Sequence, residues 1–305
     1  MTPVVSVVIP TYNRRAMLAR ALASIRAQAG VDVEILVVDD GSTDGTASWV
    51  ADQPHPVRFF QQANAGPAAA RNVALSAATG AFFAFLDSDD EFLPGHLRSH
   101  LEVLERDPAV GLVYGASEIV EADGSVVKIQ RPQPENRGRV LPQLLRYNFV
   151  MPSTVVMRRE CYEWAGPMEA SLHFAEDWLF WLKIAGRFPF DYVPDVTVRF
   201  QRTPGSASRR PLEELVAMNR AMFDLAFTDP KLGPVIAGWR AETYGAMYEG
   251  YARTALETSR LAEARRFLRE AWRLQPGRRS ILPLYLKSLI PGTLLAAGRS
   301  YRRGM

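Results

Sequence analysis

The side chains able to do chemistry stand in short polar runs, most of them directly behind an apolar run. Val4 to Ile9 leads into Pro10-Thr11-Tyr12-Asn13-Arg14, Glu34 to Val38 into Asp39-Asp40-Gly41-Ser42-Thr43-Asp44-Gly45, and Ala81 to Leu86 into Asp87-Ser88-Asp89-Asp90-Glu91. A further run, Asn64-Ala65-Gly66-Pro67, precedes Arg71-Asn72. Carboxylates repel a bare diphosphate, but a divalent cation reverses the sign, because Mg²⁺ or Mn²⁺ takes oxygen ligands from one or two carboxylates plus substrate phosphates. Asp87, Ser88 and Asp89 are therefore a candidate site for a metal-bound diphosphate. Asp39 and Asp40 supply a second acidic pair, and Tyr12 a ring able to stack. Neither G-x-G-x-x-G nor G-x-x-x-x-G-K-[ST] occurs, so phosphate cradles built from glycine-rich backbone are excluded. The competing reading of each acidic run is a solvated turn, with capping acids ahead of Pro94.

These runs meet only if the apolar segments are neighbouring strands, since ligands bind outside the carboxyl ends of an open parallel sheet, near the point where strand order reverses. The first 115 residues alternate apolar runs with helical patterns, as a βαβ series does. Val4 to Ile9, Glu34 to Val38, Arg58 to Gln61 and Ala81 to Leu86 read as strands. Met17, Leu18, Ala21, Leu22 and Ile25 share one face of a helix over 15–29. Further helices are expected from Asp44 to Ala51, from Pro67 to Ala78, and from Pro94, which favours a helix start, to about Arg106. Beyond Val110 the pattern becomes an α+β mixture. Strands are expected over 111–114, 126–129 and 154–157, a loop over 130–139, a helix over 176–185 and an edge strand over 192–200.

After Thr203-Pro204-Gly205-Ser206 the chain reads as almost wholly helical. Residues 251–276 have the apolar spacing of one tetratricopeptide-like helix pair, while a free-standing solenoid needs about three such units. The expectation is a helical cap packed on the main domain.

Composition is that of a globular protein: 305 residues, 48% hydrophobic and 23% charged, with a mean hydropathy of -0.09, which excludes disordered and fibrous classes. The lone cysteine, Cys161, cannot form an internal disulfide and fits a reducing, cytoplasmic compartment. Val4 to Ile9 is too short for the core of a secretory signal. Gly250 to Met305 holds twelve Lys and Arg against three Glu, a net +9 that leaves -6 for the rest of a chain of net +3. A nucleic-acid binder spreads its basic footprint over a folded reading domain, so no nucleic-acid partner is expected. The basic tail, with Leu294, Leu295, Arg299, Arg302 and Arg303, reads either as a peripheral contact with the inner face of a membrane or as a solvated helix end. Ile281 to Gly298 is interrupted by Pro283, Lys287, Pro291 and Gly292. It is read as buried or interfacial, since a spanning helix needs about 20 apolar residues. No feature specifies an oligomeric state.

The segments VSVVIPTYNR, ILVVDDGSTDGT, NAGPAAARNVAL and FAFLDSDDEFLP resemble, in order and spacing over roughly residues 4–200, the family 2 glycosyltransferases of GT-A fold. The resemblance implies an α/β nucleotide-diphospho-sugar transferase fold, a Rossmann-like, mostly parallel sheet flanked by helices. Residues 1–115 would be its nucleotide-sugar-binding half, 116–205 its acceptor-binding half and 206–305 a helical C-terminal extension. It also implies transfer, with inversion, from a nucleotide sugar, foremost a UDP-sugar, to a hydroxyl of a saccharide, lipid-linked or other acceptor, in surface polysaccharide or glycoconjugate synthesis. On this resemblance Thr11 and Tyr12, with Pro10, line the base and ribose. Asp40, with Asp39, bonds the base, and Arg71 contacts the nucleotide. Asp87 and Ser88 approach the ribose or metal, and Asp89, the second acid of the D-x-D motif, coordinates Mg²⁺ or Mn²⁺. In-line attack by a hydroxyl calls for a positioned carboxylate to take its proton. The family places that acid in an E-D motif opening a helix, which Glu176-Asp177-Trp178 matches, with Asp177 as the base. Without the resemblance, the same pair reads as a dipole-stabilising cap.

His173, four residues before Asp177, is read either as approaching the diphosphate or metal, or as structural. His96 and His100 have zinc-ligand spacing but no evident third ligand, and are expected to be exposed helix histidines. Trp178, Phe180 and Trp181 are expected in the core, with one of them available to a sugar ring. Two other functions fit parts of the sequence. A non-catalytic sugar-nucleotide-binding scaffold would make the helical tail the working part. A HAD-like phosphohydrolase would use Asp87-Ser88-Asp89, but lacks a following Gly-Thr and leaves Asp39-Asp40 unexplained.

Overall fold

A computed structural model describes residues 5–53, 57–203 and 210–290. The chain forms two compact units, Met1–Leu144 with Asn148–Ala207, and Leu145–Tyr147 with Ser208–Met305. The first unit runs β1 (Val5–Thr11), α1 (Arg15–Arg26), β2 (Val33–Asp39), α2 (Thr46–Ala51), β3 (Arg58–Gln61), α3 (Pro67–Ala77), β4 (Phe82–Phe85), β5 (Glu91–Phe92) and α4 (His96–Arg106). It continues through β6 (Leu112–Val120), β7 (Val126–Gln130), α5 (Leu141–Leu144), a 3₁₀ turn (Pro152–Thr154), β8 (Val155–Arg158), α6 (Arg159–Ala165), α7 (Glu176–Ala185) and β9 (Phe190–Gln201).

One mixed sheet has the order β3-β2-β1-β4-β8-β6-β9-β5, with β7 paired to the later part of β6, Ser117–Val120, beyond the stretch that pairs β8. Strands β3, β2, β1 and β4 are mutually parallel, as the alternation of apolar and helical runs predicts. Every residue of β1 is buried, because helices cover both faces of a parallel sheet and the strand can be continuously apolar. From β1 the chain winds outward to β2 and β3, then crosses back through α3 to β4 on the other side of β1. That reversal puts the ends of β1, β2 and β4 beside one crevice.

The second half differs from expectation in ways that matter. Strand β8 is antiparallel to both β4 and β6, and β6 extends to Val120, beyond the expected end at Tyr114. Strand β9 is no edge. It lies between β6, its parallel partner, and the two-residue β5, and a strand as short as β5 leaves no periodic trace.

His96 and His100 are not the exposed histidines that their spacing suggested, for both are fully buried. The Phe92 ring stacks on His96 at 4.0 Å, and His96 lies 4.2 Å from His100. Gly115 makes the room, since a Cβ there would come within 3.1 Å of the His100 ring. Burial drives His96 well below the usual imidazole range and His100 down to about 4, so both are neutral. His100 Nδ1 faces the His96 carbonyl at 2.7 Å and Nε2 faces the Thr154 carbonyl at 3.1 Å, and the single N–H of a neutral ring donates to one of the two.

The second unit contains α8 (Leu212–Thr228), α9 (Gly233–Ile236), α10 (Arg240–Glu257), α11 (Leu261–Leu274) and α12 (Ile281–Ser288). Ala252, Ala255 and Leu256 of α10 and Ala264, Phe267, Leu268 and Ala271 of α11 are buried as the helices pack, matching the expected pair. Within the doubtful segment 281–298, Ile281 is buried but Leu282, Leu286, Leu289 and Ile290 are exposed. Leu294, Leu295, Arg299, Arg302 and Arg303 lie outside the described residues. Among those described, no helix is long and apolar enough to cross a membrane.

Because His100 binds its proton more weakly folded than unfolded, its contribution to stability is present above its unfolded value near 6.5 and is lost as pH falls toward 4. The Tm difference between wild type and His100→Gln should therefore shift in the variant's favour as pH falls across that window. A difference that does not vary with pH would contradict the buried, neutral assignment.

Candidate active site at the sheet crevice

The loops that leave β1 and β2 are stitched together by their own polar groups. The Asp40 N–H donates to the Thr11 carbonyl at 2.9 Å. Asn13, in the left-handed region at φ 52°, accepts the Thr43 N–H at 2.7 Å and donates its own N–H to Ser42 Oγ at 2.8 Å. Asp39 ends β2 fully buried and accepts the Ser42 N–H at 3.0 Å. Asp40 accepts N–H groups from Ala65 at 2.8 Å and Gly66 at 2.9 Å and the Gln62 amide at 2.7 Å. This acid therefore shapes the entry to α3. Gly41 is required here, since its φ is +85° and a Cβ would press the Asn64 nitrogen at 3.1 Å. The Thr11 hydroxyl is buried without a partner, and Tyr12 is 47% exposed, so beside Pro10 an unused hydrogen-bonding group adjoins a free ring.

Arg71 projects from α3, whose buried Ala68, Ala70 and Ala74 let the helix sit close to the sheet. Its guanidinium is 3% exposed and holds two carboxylates: Nη2 donates to Asp87 Oδ1 at 2.6 Å and Nη1 to Glu176 Oε1 at 2.9 Å. Burial opposes the charge, but Asp87 and then Glu176 more than offset it and hold the proton more firmly than usual.

The turn behind β4 is clamped from across the sheet. Ser153 Oγ accepts the Asp87 N–H at 3.1 Å and donates to Asp90 Oδ2 at 2.5 Å, while Asp90 Oδ1 accepts the Gln201 N–H at 3.0 Å. Ser88, between the acids, is buried. Burial, then the charges of Asp87 and Asp89, raises Asp90 far above the usual carboxyl range. Asp89 is raised by burial and by Asp87, and Arg14 partly offsets both with an ion pair at 2.8 Å. Thr203 also donates to Asp89, at 3.2 Å.

Among the described residues no group of three or more His, Cys, Asp or Glu side chains is arranged to hold a metal ion. His173 is exposed and lies beside Gly66, with Nδ1 3.8 Å from where a Cβ would stand, so it does not join Asp87 and Asp89 in such a group. Asp87 and Asp89 nevertheless offer oxygen donors of the kind that Mg²⁺ or Mn²⁺ takes, and such ions complete their shell from water and substrate phosphate.

Glu176 and Asp177 form the first turn of α7, behind Ala175 in the left-handed conformation at φ 61°. Phe180 and Trp181 pack edge-on against Phe85 of β4, at 6.5 and 5.6 Å, and the Trp178 Nε1–H donates to the Leu144 carbonyl at 2.8 Å. All three aromatics are buried, which leaves none to face a sugar ring. This packing aims the start of α7 at Arg71. Asn148 Nδ2 reaches Asp177 Oδ2 at 3.2 Å. Burial and the adjacent Glu176 charge push Asp177 up to about 7, with Arg71 pulling the other way, so it exchanges a proton near neutrality.

The structure thus joins Asp40 to Thr11 and to the entry of α3, and Arg71 to Asp87 and Glu176, with Asp177 next in α7, at the ends of the adjoining strands β1, β2 and β4. Arg14, Asp90, Asn148 and Ser153 belong to the same network and were given no role from sequence. Arg14 and Asp90 lay within quoted motifs. Asn148 and Ser153 carried no signal.

The sequence model described as "Glycosyl transferase family 2" matches residues 6–164. The succinoglycan biosynthesis protein ExoO of Rhizobium meliloti is 38% identical over 162 residues, covering 52% of this chain and 44% of that protein. The chain spans between 30% and 54% of the length of several curated relatives that it matches. In fold it is similar to the S. aureus TarS fragment solved with UDP-GlcNAc, with a TM-score of 0.63, 19% identity and coverage of 99% of this chain and 92% of that one. It is also similar to the mannosyltransferase PcManGT of Pyrobaculum calidifontis, solved with GDP-Man and Mn²⁺, with a TM-score of 0.63, 24% identity and coverage of 99% and 83%. A match over half the chain, carried on strands and polar loops that the structure brings to one crevice, makes this protein a member of glycosyl transferase family 2.

Proposed function

We propose that the chain is an inverting glycosyltransferase that moves a sugar from a nucleoside-diphosphate donor to an acceptor hydroxyl. The observation that carries this reading is the single guanidinium of Arg71 holding Asp87 and Glu176 together, which sets a donor-side acid and the proposed base helix around one reacting space. The acceptor oxygen attacks the anomeric carbon as the bond to the diphosphate breaks. Asp177 takes the hydroxyl proton, and the diphosphate departs with the bonding electrons. Tyr12 and the unpartnered Thr11 hydroxyl receive the base and ribose beside Pro10, Asp39 and Asp40, with Ser88 between the donor-side acids. A bound Mg²⁺ or Mn²⁺ would stabilise the negative charge that grows on the leaving diphosphate, and Asp87 and Asp89 would hold it.

Support for a nucleotide-sugar donor comes from the solved neighbours, one with UDP-GlcNAc and one with GDP-Man. The resemblance favours a UDP-sugar. The name of the Rhizobium relative supports an acceptor in polysaccharide synthesis. Against the scaffold alternative stand Glu176 and Asp177, a pair of acids that Arg71 ties to the donor-side Asp87.

Transfer should rise with pH through about 7 as Asp177 loses its proton, and Asp177→Asn should lower turnover at least ~100-fold. The same substitution should raise Tm at pH 7.5, because the folded state alone carries the raised carboxyl and loses stability as pH climbs from about 4 to 7. Full activity in Asp177→Asn would remove the base assignment. UDP with Mn²⁺ should raise the wild-type Tm more than UDP with EDTA. The Mn²⁺-dependent part should vanish in Asp89→Ala, and its persistence there would refute the metal role.

A further inference from the structure

The second unit ends its described part with an apolar surface that nothing in the proposed reaction uses. Helix α12 turns Ile281 and Ser288 inward, where it packs on α11 and α10. Away from these, Leu282 and Leu286 of the helix, and Leu289 and Ile290 just past its end, are exposed by 58%, 56%, 56% and 41%. Leu282 and Leu286, at i and i+4, share one face, and Leu289 and Ile290 continue the run of exposed apolar side chains in the turn that closes the helix. Scattered surface leucines need no explanation, but a contiguous stripe marks a contact surface.

Charge identifies the partner. Residues 250–290 carry nine Lys and Arg against three Glu. Arg265, Arg269, Arg279 and Lys287 form no ion pair among the described residues. Arg265 Nη1 donates to the Ser288 carbonyl at 2.9 Å, which sets one flank of α11 against the end of α12 where the leucines emerge. Arg269 lies on that flank at i+4 and Trp272, 46% exposed, at i+7. An indole with an apolar body and a polar tip, cations on flexible stems and a row of leucines are the parts that settle together at a headgroup boundary. A short apolar helix binds a bilayer only marginally, and neighbouring cations supply the second attraction when the lipids are anionic.

We propose that the α12 face, with the cationic flank of α11, is a docking surface for an anionic lipid bilayer and holds the enzyme at a membrane without spanning it. This surface is built from residues that the proposed reaction does not use, and the inference stands whether or not that reaction is correct.

The test is flotation of the full chain with phosphatidylcholine vesicles, with and without phosphatidylglycerol, at low and raised salt. Wild type should float with the anionic vesicles at low salt, and at least tenfold less with phosphatidylcholine alone or at raised salt. Leu286→Glu with Leu289→Glu should lower anionic binding at least tenfold. Arg269→Glu with Lys287→Glu should do the same, with Tm and UDP binding unchanged because all four positions are exposed. Should the double glutamate variants unfold, Leu286→Gln alone is expected to weaken binding severalfold. Wild type that never floats, or leucine variants that float like wild type, would overturn the proposal. So would light scattering that shows a wild-type dimer dissociated by the leucine pair without vesicle binding, because the face would then belong to a second copy.

Discussion

A charged guanidinium shut inside the protein between two carboxylates is the constraint on which this structure turns. Taking an ion out of water costs several kcal/mol, and the cost is recovered only when the geometry of its partners is good. Arg71 meets that condition with two short bonds, to Asp87 behind β4 and to Glu176 at the start of α7. A lysine carries the charge but not the fork, since its ammonium is a point and the guanidinium presents donors in a rigid plane. The alanines of α3, the turn at Asp87 and the aromatic packing of α7 on Phe85 can all be read as the means of bringing these groups together.

Around that bond the protein holds several acids in surroundings that oppose their charge. Asp89, Asp90 and Asp177 are all raised above the ordinary carboxyl range, each first by burial and then by neighbouring negative charge. Asn13 behind β1 and Ala175 ahead of α7 take left-handed backbone, as Ser259 does between α10 and α11. Crowded like charges gather where chemistry is done, because the rest of the fold can hold them there. Arg14 and Ser153 keep the acidic turn together meanwhile, one as a counter-charge and one as a hydrogen-bonding clamp.

Much of the crevice was legible because parallel strands announce themselves. β1, β2 and β4 are continuous apolar runs, and the chemically distinctive residues follow them directly, so Asp39, Asp40, Asp87 and Asp89 could be expected at one end of one sheet. Contacts between distant segments were illegible. Nothing near Ser153 indicates that its hydroxyl meets the Asp87 backbone, and nothing near Asn148 points to Asp177. The histidines of α4 misled because imidazole suits either surface or core, and the decision rests with Gly115 on another element. β9 alternates as an edge strand does, yet two residues of β5 cover it, too few to leave a pattern.

The most direct measurement is steady-state transfer by Arg71→Lys, together with its Tm and its affinity for UDP with Mn²⁺. The substitution keeps the charge and removes the two-armed grip. If the guanidinium organises the crevice, turnover falls at least ~100-fold, the scale expected when reacting groups shift by about an ångström, while the chain stays folded and still binds the nucleotide more weakly. Turnover and affinity close to wild type would show that Asp87 and Glu176 hold their places without the fork, and would contradict the account.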